Sequence, residues 1–310
     1  MKYLFGAFGT NNVGDEAIFE GASIIYPGST EIYVNTSKRK NSVWYADLLT
    51  GRAVFENTDE LIMGGGGLIH CKGAVEDYTR MGQLAKSQGL KFSIQRVGFE
   101  AIKPEWEDAT KDLLKEADSV IVRSKRSKEI VNSLGFDCEV MRDFAYEYNP
   151  ELLDVSKYFP NNGKKNIGVA LSYKPPEQLK EVAVHMRTIL KYANIIFIPH
   201  SRAYVSYKNN DVVNGHILWS MSTTHANKET EFVIIPDILS PQETLSIYSK
   251  LDGVLANRYH SYIFAEKMNK PLLVKGSGPK TDSFINERSD AMFNRFSGNT
   301  EDLSRWVRRL

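Results

Sequence analysis

Cysteine is nearly absent: two residues, Cys71 and Cys138, in a chain of 310. They make no metal-ligand spacing, and a chain of this size needs no disulfide staple, so both read as free thiols in a reducing compartment. Long apolar runs are missing too. No stretch approaches the roughly 20 residues of a membrane-spanning helix, and the apolar opening Met1–Phe8 is too short for a signal peptide before it meets a glycine-rich turn. Nor does charge of one sign prevail. Thirty-nine Lys and Arg against 38 Asp and Glu leave a formal net charge of +1, which supplies no global field for nucleic acid or a membrane surface. No His, Asp, Glu or Cys cluster has metal-ligand spacing, and no Asp-x-Asp stands ready to hold a divalent ion on a nucleotide. The Gly-x-Ser-x-Gly nucleophile elbow and the phosphate loop of nucleoside triphosphatases are also lacking. The expectation is a soluble, cytoplasmic protein with no metal, no nucleic-acid partner and no membrane span.

What is present is an ordinary globular composition, 42% hydrophobic and 25% charged, long enough for about two domains. Short β-type runs alternate with helix-length amphipathic segments. In the first half the predicted strands are Tyr3–Phe8, Glu31–Asn35, Glu60–Met63, Lys91–Arg96, Ser119–Val122 and Cys138–Met141. Helices are predicted over Ala17–Tyr26, Glu76–Gln88, Glu105–Ala117 and Ser127–Leu134. Such alternation predicts βαβ units and a mainly parallel sheet. The polar, turn-rich stretch from Asn149-Pro150 to Lys164-Lys165 reads as a linker. Strands then resume at Asn166–Leu171, Asn194–Pro199, Phe232–Ile235, Gly253–Asn257 and Pro271–Lys275. The expected fold class is α/β, with two Rossmann-like domains over residues 1–155 and 165–310, facing each other so that strand carboxyl ends line a cleft. The segment Val205–Asn227 reads as a helix or an insertion. Its Tyr204 neighbour, Tyr207 and Trp219 either stack on a sugar ring or pack in the core. The last residues, Glu301–Leu310, read as an amphipathic helix that crosses back over both domains or forms an interface.

Three loops could carry chemistry. Gly9-Thr10-Asn11-Asn12-Val13-Gly14-Asp15-Glu16 joins a strand to a helix with Asp15 as its expected N-cap, either cradling an anion or forming a tight turn. It is not a dinucleotide loop, since Asn11 stands where the second glycine would be. Gly64–Gly67 follows a strand; four glycines lose much entropy on folding, so a ligand or a packed helix must need the bare backbone, with Gly65 and Gly66 central. The third is the densest. Ser240-Pro241-Gln242-Glu243 has the form of a capping box with proline at the first helical position. The following helix leads to a strand that delivers Arg258, His260 and Ser261 to the start of another helix, Tyr262–Met268. Arginine offers a forked donor to phosphate or carboxylate, and histidine moves a proton near neutral pH. Together they read as an anion-handling site. Arg123, His200 with Arg202, and Lys280 end other strands in the same way, and at least two are expected to line the cleft.

These same loops carry a resemblance to the polysaccharide pyruvyl transferase family. The likeness runs through Gly9…Asn12-Val13-Gly14-Asp15-Glu16-Ala17, Gly64–Gly67-Leu68, Val122-Arg123-Ser124…Ser127 and Ile198-Pro199-His200. It is strongest at Asn257-Arg258-Tyr259-His260-Ser261…Phe264-Ala265…Pro271, with Lys280 following. The motifs are weak singly and fairly specific as an ordered set from Leu4 to about Phe284. The resemblance implies the domain arrangement of the two-domain (GT-B-like) glycosyltransferases. It further implies transfer of the enolpyruvyl unit of phosphoenolpyruvate onto two sugar hydroxyls, with no further cofactor. On that reading His260 is general acid and Asp15 general base. Arg258, Arg123 and Lys280 hold the anionic groups, while Ser261, His200, Arg202, Asn12, Gly14, Gly65 and Gly66 complete substrate binding. The partners implied are phosphoenolpyruvate and a saccharide, with peripheral membrane contact if the acceptor is lipid-linked. The chain departs from the family pattern at Arg96-Val97-Gly98-Phe99-Glu100, where a Gly-x-Gly-Pro turn is usual, and at Arg123-Ser124, where Arg-Asp is common. Both departures bear on acceptor choice. The competing readings are a sialyltransferase-like enzyme using a nucleotide sugar and a non-catalytic sugar-phosphate binding protein.

Overall fold

The computed structural model describes residues 2–36, 39–100, 102–172, 175–202, 210–223, 229–288 and 292–310, the side chain of Pro176 excepted. The chain forms two compact units, one comprising residues up to Thr10 and Asp15–Asn149, the other Asn11–Gly14 and Pro150–Leu310.

The first unit holds β1 (Lys2–Phe5), β2 (Thr30–Tyr33), β3 (Ser42–Trp44), β4 (Glu60–Gly64), β5 (Lys91–Val97), β6 (Ser119–Val122) and β7 (Glu139–Val140). Its helices are α1 (Val13–Ile25), α2 (Tyr45–Leu49), α3 (Lys72–Ser87), α4 (Glu107–Glu116) and α5 (Lys125–Ser133). The strands are parallel in the order β3-β2-β1-β4-β5-β6-β7. Helices cover the faces of such a sheet, so central strands such as Leu61-Ile62-Met63 are apolar throughout and fully buried. Two elements have no counterpart in the sequence reading: β3 and the five-residue α2. The first strand also ends at Phe5, three residues before expected, because the chain turns at Gly6 and Phe8 packs edge-on to Phe19 of α1 instead.

The second unit repeats the plan with β8 (Asn166–Ala170), α6 (Pro176–Ile189), β9 (Asn194–Phe197), α7 (Asp211–Thr223), β10 (Phe232–Ile234) and α8 (Pro241–Lys250). It continues with β11 (Gly253–Ala256), α9 (Tyr259–Lys267), β12 (Leu272–Val274), α10 (Pro279–Asn286), β13 (Phe293–Arg295) and α11 (Thr300–Arg309). The parallel order is β10-β9-β8-β11-β12-β13. Successive strands therefore step outward one way from β8 and then the other way from β11. That reversal creates the crevice at which open α/β sheets take ligands.

Residues 150–165, read from sequence as a linker, are fastened to the second unit. Leu153 N–H donates to Ser246 Oγ at 2.9 Å, Gln242 Nε2 donates to Glu151 O at 2.9 Å, and Asn162 and Asn194 exchange side-chain hydrogen bonds at 2.9 Å. The last helix spends its apolar side within the same unit. Leu303 and Val307 are buried in its core, with Trp306 and Leu310 against them. A Cβ on Gly253 would lie 2.6 Å from Leu310 Cδ1, so β11 needs glycine where α11 crosses it. Each such fully buried Leu or Val contributes about 1.5–3 kcal/mol.

Candidate active site

The site grows from the junction that ends β11. Arg258, in an extended conformation (φ −89°, ψ 129°), immediately precedes α9, which places His260 and Ser261 in the first helical turn. The helix thus begins three residues earlier than the sequence suggested, at Tyr259. Ser261 is fully buried, and its hydroxyl lies 2.6 Å from that of Tyr248 on α8. Tyr248 Oη in turn meets His200 Nε2 at 2.9 Å. The capping box foreseen at Ser240 and Glu243 is formed and sets where α8 starts, hence where Tyr248 points.

His200 follows β9 through Ile198-Pro199 and is sealed from solvent. Burial, with the charges of Arg258 and then His260, pushes its pKa well below the ordinary imidazole value, so it is neutral at physiological pH. Burial also pushes the Tyr248 phenol up, so it keeps its proton. His200, Tyr248 and Ser261 therefore form an uncharged buried chain.

Charge enters through Asp211, the first residue of α7, which is 1% exposed. Its Oδ2 accepts the backbone N–H groups of His200 (3.1 Å) and Ser201 (3.0 Å), and its Oδ1 accepts from Arg258 Nη2. The carboxylate holds Arg258 by one end only. Arg258 Nε is buried and has no hydrogen-bond partner among the described residues. A buried donor left unpaired costs about 1–3 kcal/mol, more when charged, so this nitrogen calls for an acceptor. A ligand carboxylate or phosphate fits the geometry of the fork.

The loop Asn11–Gly14 comes to the same place. Val13 N–H donates to His200 O at 2.9 Å, Arg202 N–H donates to Asn11 O at 3.1 Å, and Asn12 pairs with Ser201 as an antiparallel bridge. Asn12 Oδ1 accepts the Gly14 N–H at 3.0 Å. Asn12 therefore takes the capping role expected of Asp15, which lies inside the first turn because α1 starts at Val13. Gly14 has to be glycine here: a Cβ would overlap the His260 imidazole and lie 2.8 Å from the His260 Cβ.

Not every expected residue joins this group. Arg123 belongs to the first unit, with its side chain 1% exposed between Glu100 and Asp143, each 0% exposed. Glu100 accepts from Nε (3.0 Å) and Nη2 (3.2 Å), and Asp143 from Nη1 (3.4 Å). Burial holds the Asp143 carboxyl above its ordinary range despite the guanidinium. Arg123, expected to hold a substrate anion, is thus the centre of a buried ion group within the first unit. Both departures from the family pattern meet in this cluster: Ser124 caps α5 through Ser127 N–H at 3.1 Å, and Phe99 N–H donates to Ser127 Oγ at 3.0 Å.

Gly65 and Gly66 adopt φ of 72° and 77° beside α1, where a Cβ on Gly65 would overlap Ile18 and one on Gly66 would lie 3.5 Å from Asp15 Oδ1. Helix packing explains Gly65 fully; Gly66 opens the backbone next to Asp15. Arg202 is exposed and paired with Asp237 at 3.0 Å. Lys280 stands in the first turn of α10, beyond the end of β12, the strand beside β11. Of the aromatic residues considered for sugar stacking, Tyr204 and Tyr207 lie outside the described residues and Trp219 is 46% exposed on α7. Sequence reasoning missed Asp211 and Tyr248. Asp211 falls in the stretch 205–227, which shows no clear helical or strand period. Tyr248 sits on the apolar side of α8, where an aromatic residue reads as core.

Two parallel-sheet α/β units of this topology make a GT-B-like fold. Solved structures of that fold are similar over nearly the whole chain. The S. aureus MnaA–UDP co-structure has TM-score 0.66 and 14% identity, covering 100% of this chain and 87% of that one. A UDP-GlcNAc 2-epimerase from Methanocaldococcus jannaschii, in complex with UDP-GlcNAc and UDP, has TM-score 0.62 and 11% identity (99% and 91% covered). The E. coli ADP-heptose lps heptosyltransferase II has TM-score 0.50 and 11% identity (96% and 90% covered). No curated protein matches the chain in sequence. The family model for polysaccharide pyruvyl transferase matches residues 11–278, and the chain belongs to that family. It is accordingly a transferase of polysaccharide biosynthesis. No helix among the described residues is long and apolar enough to cross a membrane.

Proposed function

We infer that the chain transfers the enolpyruvyl group of phosphoenolpyruvate onto two hydroxyls of a saccharide, forming a pyruvate ketal and releasing phosphate. The observation that carries this reading is the part-buried guanidinium of Arg258 beside His260, bonded to Asp211 through Nη2 while its buried Nε has no partner among the described residues, within a family of pyruvyl transferases. Phosphoenolpyruvate brings a carboxylate and a phosphate, and Arg258 with Lys280 supplies the cations for them. His260 gives a proton to the methylene carbon, which leaves an oxocarbenium-like centre at C2. The first sugar hydroxyl attacks that centre and gives up its proton, with Asp15, the residue after Gly14, as the base. The C2–O bond to phosphate then breaks, and the second hydroxyl closes the ring as its proton is lost. The oxidation level of carbon is unchanged, so no redox partner enters.

The test is binding and turnover measured separately. Arg258→Lys keeps the charge against Asp211 but loses the fork, and should weaken phosphoenolpyruvate binding about tenfold or more. His260→Ala should bind the donor within a few-fold of wild type yet lose at least about 10²-fold in turnover. Near-normal turnover of His260→Ala would remove it as the acid.

A further inference from the structure

A cavity of about 470 Å³ opens at the carboxyl ends of β8, β11 and β12 in the second unit, with Ser172, Glu177, Asn214, Asn257 and Lys275 among its lining residues. It occupies the reversal between β8 and β11, the usual ligand position of an open α/β sheet, and its size suits a small ligand. It adjoins the Arg258 group through the chain: Asn257 precedes Arg258, and Asn214 lies one turn along α7 from Asp211. Asn214 is wholly buried. Its Nδ2 donates to Leu171 O (3.4 Å) and Ser172 O (3.3 Å), and these two carbonyls decide which way the amide faces. Its Oδ1 has no hydrogen-bond partner among the described residues. Asn257 Oδ1 accepts Ser172 N–H at 2.7 Å, which leaves that side chain's NH2 group as a donor.

The cavity is ill suited to phosphate. At the start of α6 the N–H groups of Gln178 and Leu179 already donate to Pro175 O, at 2.9 and 3.3 Å. Glu177 and Glu181 bring two carboxylates to the lining. Lys275 is bonded to Glu181 at 3.2 Å and holds its carboxyl below the ordinary pKa, so the carboxylate is ionised. Two carboxylates against one ammonium repel an anion, whereas amides and carboxylates together donate to and accept from hydroxyls.

We propose that this cavity binds a neutral hexopyranoside, one ring hydroxyl donating to Asn214 Oδ1 and others meeting Glu177 and the Asn257 amide. That the bound sugar is the acceptor rests on the pyruvyl-transfer reading; that the cavity takes a sugar and not a nucleotide does not. Calorimetric titration of the full chain with methyl glycosides of galactose, glucose, mannose and their N-acetylated forms tests it without requiring turnover. Binding of at least one glycoside, weakened about tenfold by Asn214→Ala and about threefold by Glu177→Ala, is expected from the loss of one hydrogen bond each. Glu177 is exposed, so its variant remains informative if Asn214→Ala fails to fold. Three results would overturn the proposal: no glycoside binding at millimolar concentration, glycoside binding unaffected by Glu177→Ala, or displacement of the glycoside by UDP or CMP. Loss of phosphoenolpyruvate turnover with sugar binding intact would instead count against the reaction and leave the cavity's assignment standing.

Discussion

Gly14→Ala separates the architecture of the site from the stability of the fold. Gly14 lies in the first turn of α1 with no positive φ, so alanine suits its backbone. Helix propensity alone would favour alanine by about 1 kcal/mol. Against that, the new Cβ would overlap the His260 imidazole. Turning the His260 ring aside costs about 0.5–1.5 kcal/mol if it leaves its rotamer, and the His260 Cβ, 2.8 Å from the new atom, moves only with its backbone, an overpacking cost of about 1–3 kcal/mol. The clash outweighs the propensity gain by up to about 3 kcal/mol, so the melting temperature should fall by roughly 2–4 °C per kcal/mol lost while the protein still folds. Turnover should behave quite differently. Displacing a catalytic group by about 1 Å costs on the order of 10²-fold, and losing general acid catalysis costs about 10²–10⁴-fold. Phosphate release from phosphoenolpyruvate, assayed beside a thermal melt, should therefore show a folded protein with turnover reduced at least about 10²-fold. A Gly14→Ala protein that melts normally and turns over normally would refute the contact between loop and histidine as a catalytic requirement. One that fails to fold would refute the energy balance.

Other consequences concern the buried groups. Because the folded-state pKa of His200 is depressed, the unfolded chain binds more protons below the ordinary imidazole value near 6.5. Stability is therefore fully present above that pH and is lost as pH falls below it, at about 1.4 kcal/mol per pH unit. His185 is shifted the same way, so urea melts of wild type and His200→Gln across pH 5 to 7.5 should differ in slope by one proton; parallel slopes would count against a neutral buried His200. Arg123→Met removes the guanidinium bonded to the buried Glu100 and Asp143 and should cost about 3–5 kcal/mol, and exchanging Glu100 for Leu and Asp143 for Asn in the same protein should restore most of that. If Arg123→Met instead folded normally and lost phosphoenolpyruvate affinity, Arg123 would be a substrate ligand after all. Ser240→Ala removes a complete capping box and should cost about 1 kcal/mol in urea, a loss that an unchanged midpoint would contradict.

The parts legible in the sequence were those with local signals. Ser240-Pro241-Gln242-Glu243 announced α8 because each residue satisfies a backbone group within its own turn, and the apolar run Val254–Ala256 announced β11, so the strand–helix junction holding Arg258 and His260 could be read directly. Short elements were not legible: β3 has only Ser42-Val43-Trp44 and β13 only Phe293-Asn294-Arg295, too few residues for a period to emerge. Pairings distant in sequence were hidden too. Nothing near Arg123 reveals that Glu100 and Asp143, 23 and 20 residues away, enclose it. Likewise Asn11–Gly14 meets His200 and Ser201 through hydrogen bonds that span nearly 190 residues of chain. The site loops are visible in their glycine and charge composition, whereas their capping and charge pairing are set by tertiary contacts.

The most direct measurement is phosphate release from phosphoenolpyruvate across a panel of saccharides, lipid-linked ones included, with mass analysis of each product. The account predicts release that depends on one class of sugar, a product heavier by one pyruvate ketal, and loss of both in His260→Ala. Glycosyl transfer from a nucleotide sugar, with phosphoenolpyruvate inert toward every saccharide, would contradict it.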